Sequence, residues 1–495
     1  MVGSRRQFIK TTLVVAAGSL FPGGVAYSQN LKSLGDVVVL IPGIMGSVLQ
    51  KNGHDVWALS GPALANGLKT LGESVAELTL RGDSPTTEIL GDGVVASRIF
   101  PDTHLLPGLW KIDGYSGISK AITDTFDASP GRNYFDFPYD WRRDNRAAAR
   151  RLQRLASGWL GNWRQTSGNR NAKLILVAHS MGGLVARYFL EVLGGWRDTR
   201  MLITFGTPYR GSLNALNFLA NGYKKQFGPV TLVDISSLVR SFTSVYQLLP
   251  IYPCVDPGTG VLRRVVEINS IPNVDRGRAQ AALNFHNEMR EANERNVRQS
   301  DYIDRGYSLH PVVGTYQPTL QIGRLAGTGL QMFDRHPQAP DVQGDGTVPE
   351  TSATPIEPDI LTKQHIPVYV SEIHGSLQNS APMLDHVRAV ITARGTPQDL
   401  FREAVNRVAM RLDDLYSTND DVTFQVGCED LIAGLTVVLS DAASNGEIRR
   451  LTVGGNGATM RTVQVGRLPE GTYRVHAFGG AGVGSATDTF VVIRA

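Results

Sequence analysis

The run Lys173-Leu-Ile-Leu-Val-Ala-His-Ser180-Met-Gly-Gly-Leu-Val-Ala-Arg-Tyr-Phe-Leu190 constrains this chain more than any other stretch. Residues 173–177 are apolar and rich in branched side chains, the pattern of a buried strand. Ala178-His179-Ser180-Met181-Gly182 then turns sharply, and 181–194 carries a helical apolar pattern through Leu184, Phe189 and Leu193. A strand, a tight turn with serine at its apex, and a helix make up a nucleophile elbow. The serine of such an elbow has a strained backbone, and strand and helix pass close together, so its neighbours must be small. Ala178, Gly182 and Gly183 meet that need, with one extra methyl at Ala178, where the stricter pattern has glycine.

Further upstream, Asp36-Val-Val-Val-Leu-Ile-Pro42-Gly43-Ile-Met45-Gly46 is an apolar strand ending in a glycine-punctuated loop. Paired with an elbow, that loop is expected to donate one oxyanion-binding amide, with Met45 the best placed, the plainer alternative being a Pro-Gly that simply ends the strand. The second donor is expected from Met181, the residue after the serine. Trp57 opens an amphipathic segment with Leu64, Leu68 and Leu71 spaced i, i+4, i+7. Two readings of that segment stay open: a helix packed on the core, or one that touches lipid at the mouth of a site through Trp57, Leu64 and Leu68. Residues 133–143 form an aromatic strand and a charged turn in which Asp140 and Arg142 read as a structural ion pair. A helix over 144–158 follows, with Leu152 and Leu155 inward.

Residues 201–212 are expected to form the next strand and its sharp exit. The long, apolar, interrupted stretch 213–262 then suits a cap or lid over an apolar pocket, or else a set of peripheral helices. Gly344-Asp345-Gly346-Thr347-Val348 puts an aspartate on a loop after the strand at 308–316. His374 occupies a loop between a strand over 365–371 and a helix over 382–393. Ser180, Asp345 and His374 fall in the order nucleophile, acid, base that suits a parallel α/β sheet. Of the ten histidines, His374 has the required loop-after-strand context; His365 starts a strand, His386 sits on a helix and His179 lies inside the elbow.

A chain of 495 residues is too long for one compact core. Its N-terminus reads Ser4-Arg5-Arg6-Gln7-Phe8-Ile9-Lys10 before a short apolar run, a pattern similar to a twin-arginine export signal. Ala26-Tyr27-Ser28 offers the cleavage site, so residues 1–28 are expected to be removed and the mature protein to be periplasmic or secreted. Without that segment's three basic residues the formal charge falls from +4 to +1, and the basic balance gives no reason to expect nucleic acid as a partner. Cys254 and Cys428 permit one disulfide but equally two buried thiols. No pattern for a metal or an organic cofactor is present. Residues 397–417 read as one amphipathic helix, and short strands spaced by turn signals follow from 422 to 494, as in a small immunoglobulin-like β-sandwich. The expected domains are thus 29–417, catalytic, and 418–495, a β-module, and a cut after Thr418 is expected to leave the active site whole.

Ile41-Pro-Gly-Ile-Met-Gly46, Pro138-Tyr-Asp-Trp-Arg142, Ala178-His-Ser-Met-Gly182, Gly344-Asp-Gly-Thr-Val348 and His374-Gly375 occur in the order found in one family. Over about residues 36–395 the chain resembles the lecithin:cholesterol acyltransferase family, which includes lysosomal phospholipase A2. The resemblance implies an α/β-hydrolase fold with a lid near 213–262 and a lipid-facing segment around Trp57. It implies Ser180 as nucleophile, Asp345 as acid, His374 as base, and Met45 and Met181 as oxyanion donors. The implied activity is acyl transfer from a lipid ester through an acyl-serine, without a cofactor. Two alternatives stand beside it: a carboxylesterase for small or polymeric esters, and a surface-binding protein on a hydrolase scaffold.

Overall fold

The computed structural model describes residues 31–57, 77–106, 110–227, 230–327, 329–335, 341–355, 367–393, 406–429, 434–454, 460–480 and 482–494. The export signal, Leu64 and Leu68 lie outside the described residues.

Val37–Ile41 is buried along its whole length, as a strand covered on both faces must be. It pairs in parallel with Tyr134–Asp136 on one side and Leu174–His179 on the other. Thr199–Phe205, Ser308–Gly314 and Val368–Val370 then extend the sheet, each parallel to its neighbour. Spatially the order is 368–370, 308–314, 199–205, 174–179, 37–41, 134–136. Chain direction across the sheet therefore reverses between 37–41 and 174–179. In open parallel sheets the crevice beyond the carboxyl ends of strands at such a reversal is where ligands bind. The Pro42–Gly46 loop and Ser180 leave the sheet at that point.

Alternation along the strands sorts two cores. Val37, Val39 and Ile41 face Ala149 and Leu152 of helix Asn145–Ser167 and Leu184 and Leu190 of helix Met181–Glu191. Val38 and Leu40 face Ile118 and Ile122 of helix Ser116–Thr125 and Met383 and Val387 of helix Ala381–Thr392. The helix over 145–167 starts where the Asp144 carboxylate accepts the Arg146 amide, at 2.8 Å, and stops at Gly168 in the left-handed region. These elements make an α/β-hydrolase sheet with further β sheets around it.

Stretch 213–262 forms helices Leu213–Asn221, Ser236–Ser241 and Thr243–Gln247 with a hairpin of 224–227 and 230–234. Leu213, Leu216, Val239 and Phe242 belong to the first of the two cores. Helix Arg276–Asn296 was not anticipated, because it buries Ala279 and Ala282 beside Phe285 and Met289. Alanine contacts leave little apolar signature in a sequence.

The C-terminal strands form two sheets, 408–412 with 422–428 and 461–466, and 415–417 with 485–493, 471–478, 435–441 and 447–453. Phe424, Val437, Val463, Val475 and Phe490 fill the space they share. The helix expected over 397–417 is therefore replaced, in its described part, by strands Val408–Leu412 and Leu415–Ser417. Val408-Ala-Met410-Arg-Leu412 satisfies a period of two, and a short apolar run does not separate that from a helix. Those strands pair with residues beyond 418, so a cut after Thr418 would run through both sheets. Cys254 is a buried thiol, pushed up to about 12 by burial, in the first core, whereas Cys428 lies in the module's core. Among the described residues no helix is long and apolar enough to cross a membrane.

At Gly182 strand and helix pass close together: a Cβ there would lie 2.4 Å from the Pro42 carbonyl oxygen. Alanine gains roughly 1 kcal/mol over glycine in a helix, but that oxygen belongs to backbone and cannot swing aside. Gly182→Ala is expected to lose about 1–2 kcal/mol net, the overpacking term winning. A urea titration should give a lower midpoint at unchanged slope.

Candidate active site

Ser180 stands between the end of its strand and the start of helix Met181–Glu191 with φ 52°, in the left-handed region where a residue with a side chain is strained. Three fixed bonds hold it there. Its amide donates to the Phe205 carbonyl at 2.8 Å, and its carbonyl accepts the Gly183 amide at 3.0 Å and the Thr207 hydroxyl at 3.0 Å. The Ala178 methyl, where the stricter pattern has glycine, is fully buried in the first core.

The Ser180 hydroxyl donates to His374 Nε2 at 2.9 Å, and His374 Nδ1 donates to Asp345 Oδ2 at 2.7 Å. Asp345 Oδ1 accepts the amides of Thr347 and Val348, at 2.9 and 2.7 Å, which explains the Gly-Asp-Gly-Thr-Val turn. All three residues are almost wholly buried, Ser180 at 4% exposure, Asp345 at 0% and His374 at 3%. Close packing extends to Gly206, whose φ is 56° and whose Cβ, if present, would sit 2.7 Å from Asp345 Oδ2. A serine hydroxyl, an imidazole and a carboxylate in line are the parts of nucleophilic catalysis, the imidazole taking the hydroxyl proton.

Met45 has φ 60°, the strained turn expected of a loop that aims an amide. Met181 is the first residue of its helix, where amides lack intrahelical acceptors. The surrounding aromatics brace this loop. Tyr139 donates its hydroxyl to the Pro42 carbonyl and Trp141 its Nε1–H to the Ser47 carbonyl, both at 3.0 Å. Arg142, 0% exposed, binds Asp140 at 2.6 Å and Asp92 at 2.9 Å, a structural pair as expected from the motif. Trp57 does not lie at a lipid-facing surface. It is 1% exposed, edge-on to Trp141 with ring centroids 5.2 Å apart, and its Nε1–H points to the Met45 carbonyl at 3.4 Å.

His179 and Tyr115 complete the centre, and neither was singled out for a role in sequence. His179 Nε2 can only donate to the His374 carbonyl, 3.0 Å away, so its Nδ1 accepts the Tyr115 hydroxyl proton, also at 3.0 Å. The Tyr115 oxygen in turn accepts the Gly43 amide at 2.8 Å. One neutral relay thus joins the His374 backbone, the elbow and the Pro42–Gly46 loop. Burial, reinforced by the neighbouring His374, lowers the His179 pKa to about 3, so it stays neutral. The 64 positions between Tyr115 and His179 carry no local signal.

The sequence model of the lecithin:cholesterol acyltransferase family matches residues 111–317. That segment holds the Pro138–Arg142 turn and the Ser180 elbow. Over residues 111–317 the chain is therefore similar to the lecithin:cholesterol acyltransferase family. The lysosomal phospholipase A and acyltransferase of Bos taurus is 27% identical over 230 residues, 45% of this chain and 53% of that protein. Its Homo sapiens counterpart is 31% identical over 119 residues, covering 23% of this chain and 27% of that one. The chain thus spans about half the length of the bovine relative it matches, and less of the human one. Among solved structures, the Bacillus licheniformis lipase BlEst2 in its propeptide form is 10% identical with a TM-score of 0.31, covering 93% of this chain and 94% of that chain. The Tle4–Tli4 complex gives 16% identity and a TM-score of 0.45, covering 75% and 100%. Asp345 and His374 lie beyond the family match, and their place beside Ser180 comes from geometry alone.

Glu372, two residues before His374, is fully buried. Burial, with Asp113 nearby, raises its pKa to about 8, against the pull of the Ile373 and Thr487 amides. Its proton is therefore kept in the folded chain over the range from about 4.5 to about 8, where the unfolded chain has lost it. Stability owed to the neutral form is present below that range and is lost as pH rises through it. Glu372→Gln, which cannot ionise, is expected to lose less stability than the parent between pH 5 and 8. The gap should widen by up to roughly 1.4 kcal/mol per pH unit in paired denaturant titrations.

Proposed function

We propose that the chain is a serine acyl-transfer enzyme acting on lipid esters, a phospholipase or O-acyltransferase with an acyl-serine intermediate. The observation that carries this reading is the buried line from Ser180 Oγ through His374 to Asp345. As the Ser180 oxygen bonds to the ester carbonyl carbon, its proton passes to His374 Nε2, and Asp345 steadies the imidazolium. The carbonyl electron pair becomes an oxyanion facing the Met45 and Met181 amides, each such donor being worth about 3–4 kcal/mol. His374 returns the proton to the departing alcohol oxygen, leaving acyl-Ser180. Water or an acceptor alcohol, deprotonated by the same imidazole, then releases the acid or forms a new ester.

Lipid as the substrate class rests on the family of residues 111–317 and on relatives named as phospholipase A and acyltransferase. The 213–262 stretch acts as the lid in this reading; its Phe218 lines the same cleft as His374. Residues 1–28 direct twin-arginine export to the periplasm or beyond, and the C-terminal sheets form an immunoglobulin-like sandwich.

The test uses phosphatidylcholine vesicles and p-nitrophenyl butyrate, with and without an added long-chain alcohol. Parent protein should release fatty acid from vesicles, divert part of it to alkyl ester when alcohol is present, and be labelled by a fluorophosphonate. Ser180→Ala should lose the label and roughly 10⁴-fold or more of turnover, as triads that act as a unit do. Turnover of the soluble ester alone would replace the lipid reading by that of a general carboxylesterase, and labelling that survives Ser180→Ala would remove Ser180 as nucleophile.

A further inference from the structure

We propose that Glu372 is a positioning residue for His374 and that, through it, the C-terminal β-module is a working part of the catalytic centre. The proposal rests on His374 being the base in the reading above.

His374 sits on a short loop that the module grips from one side. Ser371 Oγ accepts the Val408 amide at 3.4 Å. Glu372 Oε1 accepts the Thr487 amide at 2.5 Å and the Ile373 amide at 3.0 Å. The Ile373 side chain packs into the module's own core. On the opposite side the His374 amide donates to the Asp345 carbonyl at 2.8 Å, and the Gly375 carbonyl accepts the Asp113 amide at 2.9 Å. The base is thus suspended between two bodies, and Glu372 reaches across beside Ser371 and Ile373.

The acid-bearing turn is tied to the same module. Gln317 donates its amide nitrogen to the Gly344 carbonyl at 2.9 Å, one residue before Asp345. Its side chain clips the edge of strand Val408–Leu412, donating to the Val408 carbonyl at 2.7 Å and accepting the Met410 amide at 3.0 Å. Lys111 binds Asp488 at 2.8 Å and also Asp414, and Arg474 binds Asp113. A cleft of about 340 Å³ opens at this junction, with Phe218, Leu320 and His374 on one side and Met410, Arg411 and Leu412 of the module on the other.

A buried carboxyl is costly unless its oxygens accept hydrogen bonds, and here two amides meet one oxygen. What the arrangement gains is the fixed height of the loop. The Ser180–His374 bond has to hold in line to transfer a proton, and a misplacement of about 1 Å costs roughly 100-fold in rate. A residue acting only through loop position should therefore govern turnover and leave substrate affinity alone.

The experiment measures kcat and KM on p-nitrophenyl butyrate, with fluorophosphonate labelling, for the full-length parent, Glu372→Ala, Glu372→Gln and Glu372→Asp. Glu372→Ala is expected to lower kcat and the labelling rate together by roughly 10- to 100-fold, with KM within about twofold. Glu372→Gln, whose carbonyl oxygen accepts the same two amides, should restore kcat to within about threefold of the parent. Should Glu372→Ala yield no folded protein, Glu372→Asp decides in its place, since its carboxyl falls one methylene short of the Thr487 amide. Parental kcat in a folded Glu372→Ala or Glu372→Asp would overturn the proposal. So would a Gln variant as impaired as the Ala one, because the acceptor role would then be wrong. A parent protein that takes no label at Ser180 would instead overturn the underlying enzymatic reading, which keeps the two failures apart.

Discussion

The approach of helix Met181–Glu191 to the end of the first strand is the constraint on which the rest of the centre depends. Gly182 lies against the Pro42 carbonyl so closely that a single methyl has no room. That contact sets the distance between the turn carrying Ser180 and the loop carrying Met45, the two walls of the crevice at the sheet's reversal. Tyr139, Trp141 and Trp57 hold the loop from the strand side, and the Tyr115–His179 relay holds it from the base side. Two residues with left-handed backbones, Met45 and Ser180, persist here because so many neighbours over-determine them.

What could be read from the chain before its structure was what repeats locally or announces itself by composition. The elbow, the strands of the central sheet and the strands after 422 all carry their pattern within ten residues. Asp345 and His374 were legible because glycine-bounded loops after strands are a local signal and chain order supplied the rest. Long-range side-chain partnerships were not. Nothing local in the sequence marks Thr487, 115 positions away, as the partner of Glu372. Trp57 invited a surface reading because an amphipathic segment follows it, yet it packs on Trp141. Strand Val408–Leu412 looked helical because it is short, and its strand partner lies beyond a second strand in the chain.

The junction between the two parts of the molecule is polar and buried, with Lys111 between Asp414 and Asp488 at its centre. Such a cluster is weak evidence for stability, since desolvating three charges offsets much of their attraction. Its geometric content is greater. A greasy interface tolerates small slides, whereas a lysine held between two carboxylates, an arginine on Asp113 and a glutamine clipped to one strand edge accept a single register. Positional definition is what the loop carrying His374, the proposed base, requires.

The electrostatic setting of His374 follows the same logic. His179, at 5.1 Å between ring centroids, is kept neutral by burial, and the Tyr115 hydroxyl is pushed well above its ordinary range by the same cause. Glu372, the carboxyl nearest in sequence, has its ionisation displaced upward as well. Neighbours that stay neutral do not compete with Asp345 for the imidazole or add a field of their own when, in the proposed mechanism, it takes the serine proton. In a site this dry each additional charge would act with little screening. In the proposed mechanism a module that buries Glu372 therefore does two things at once: it fixes the height of His374 and it raises the pH at which the neighbouring carboxyl ionises.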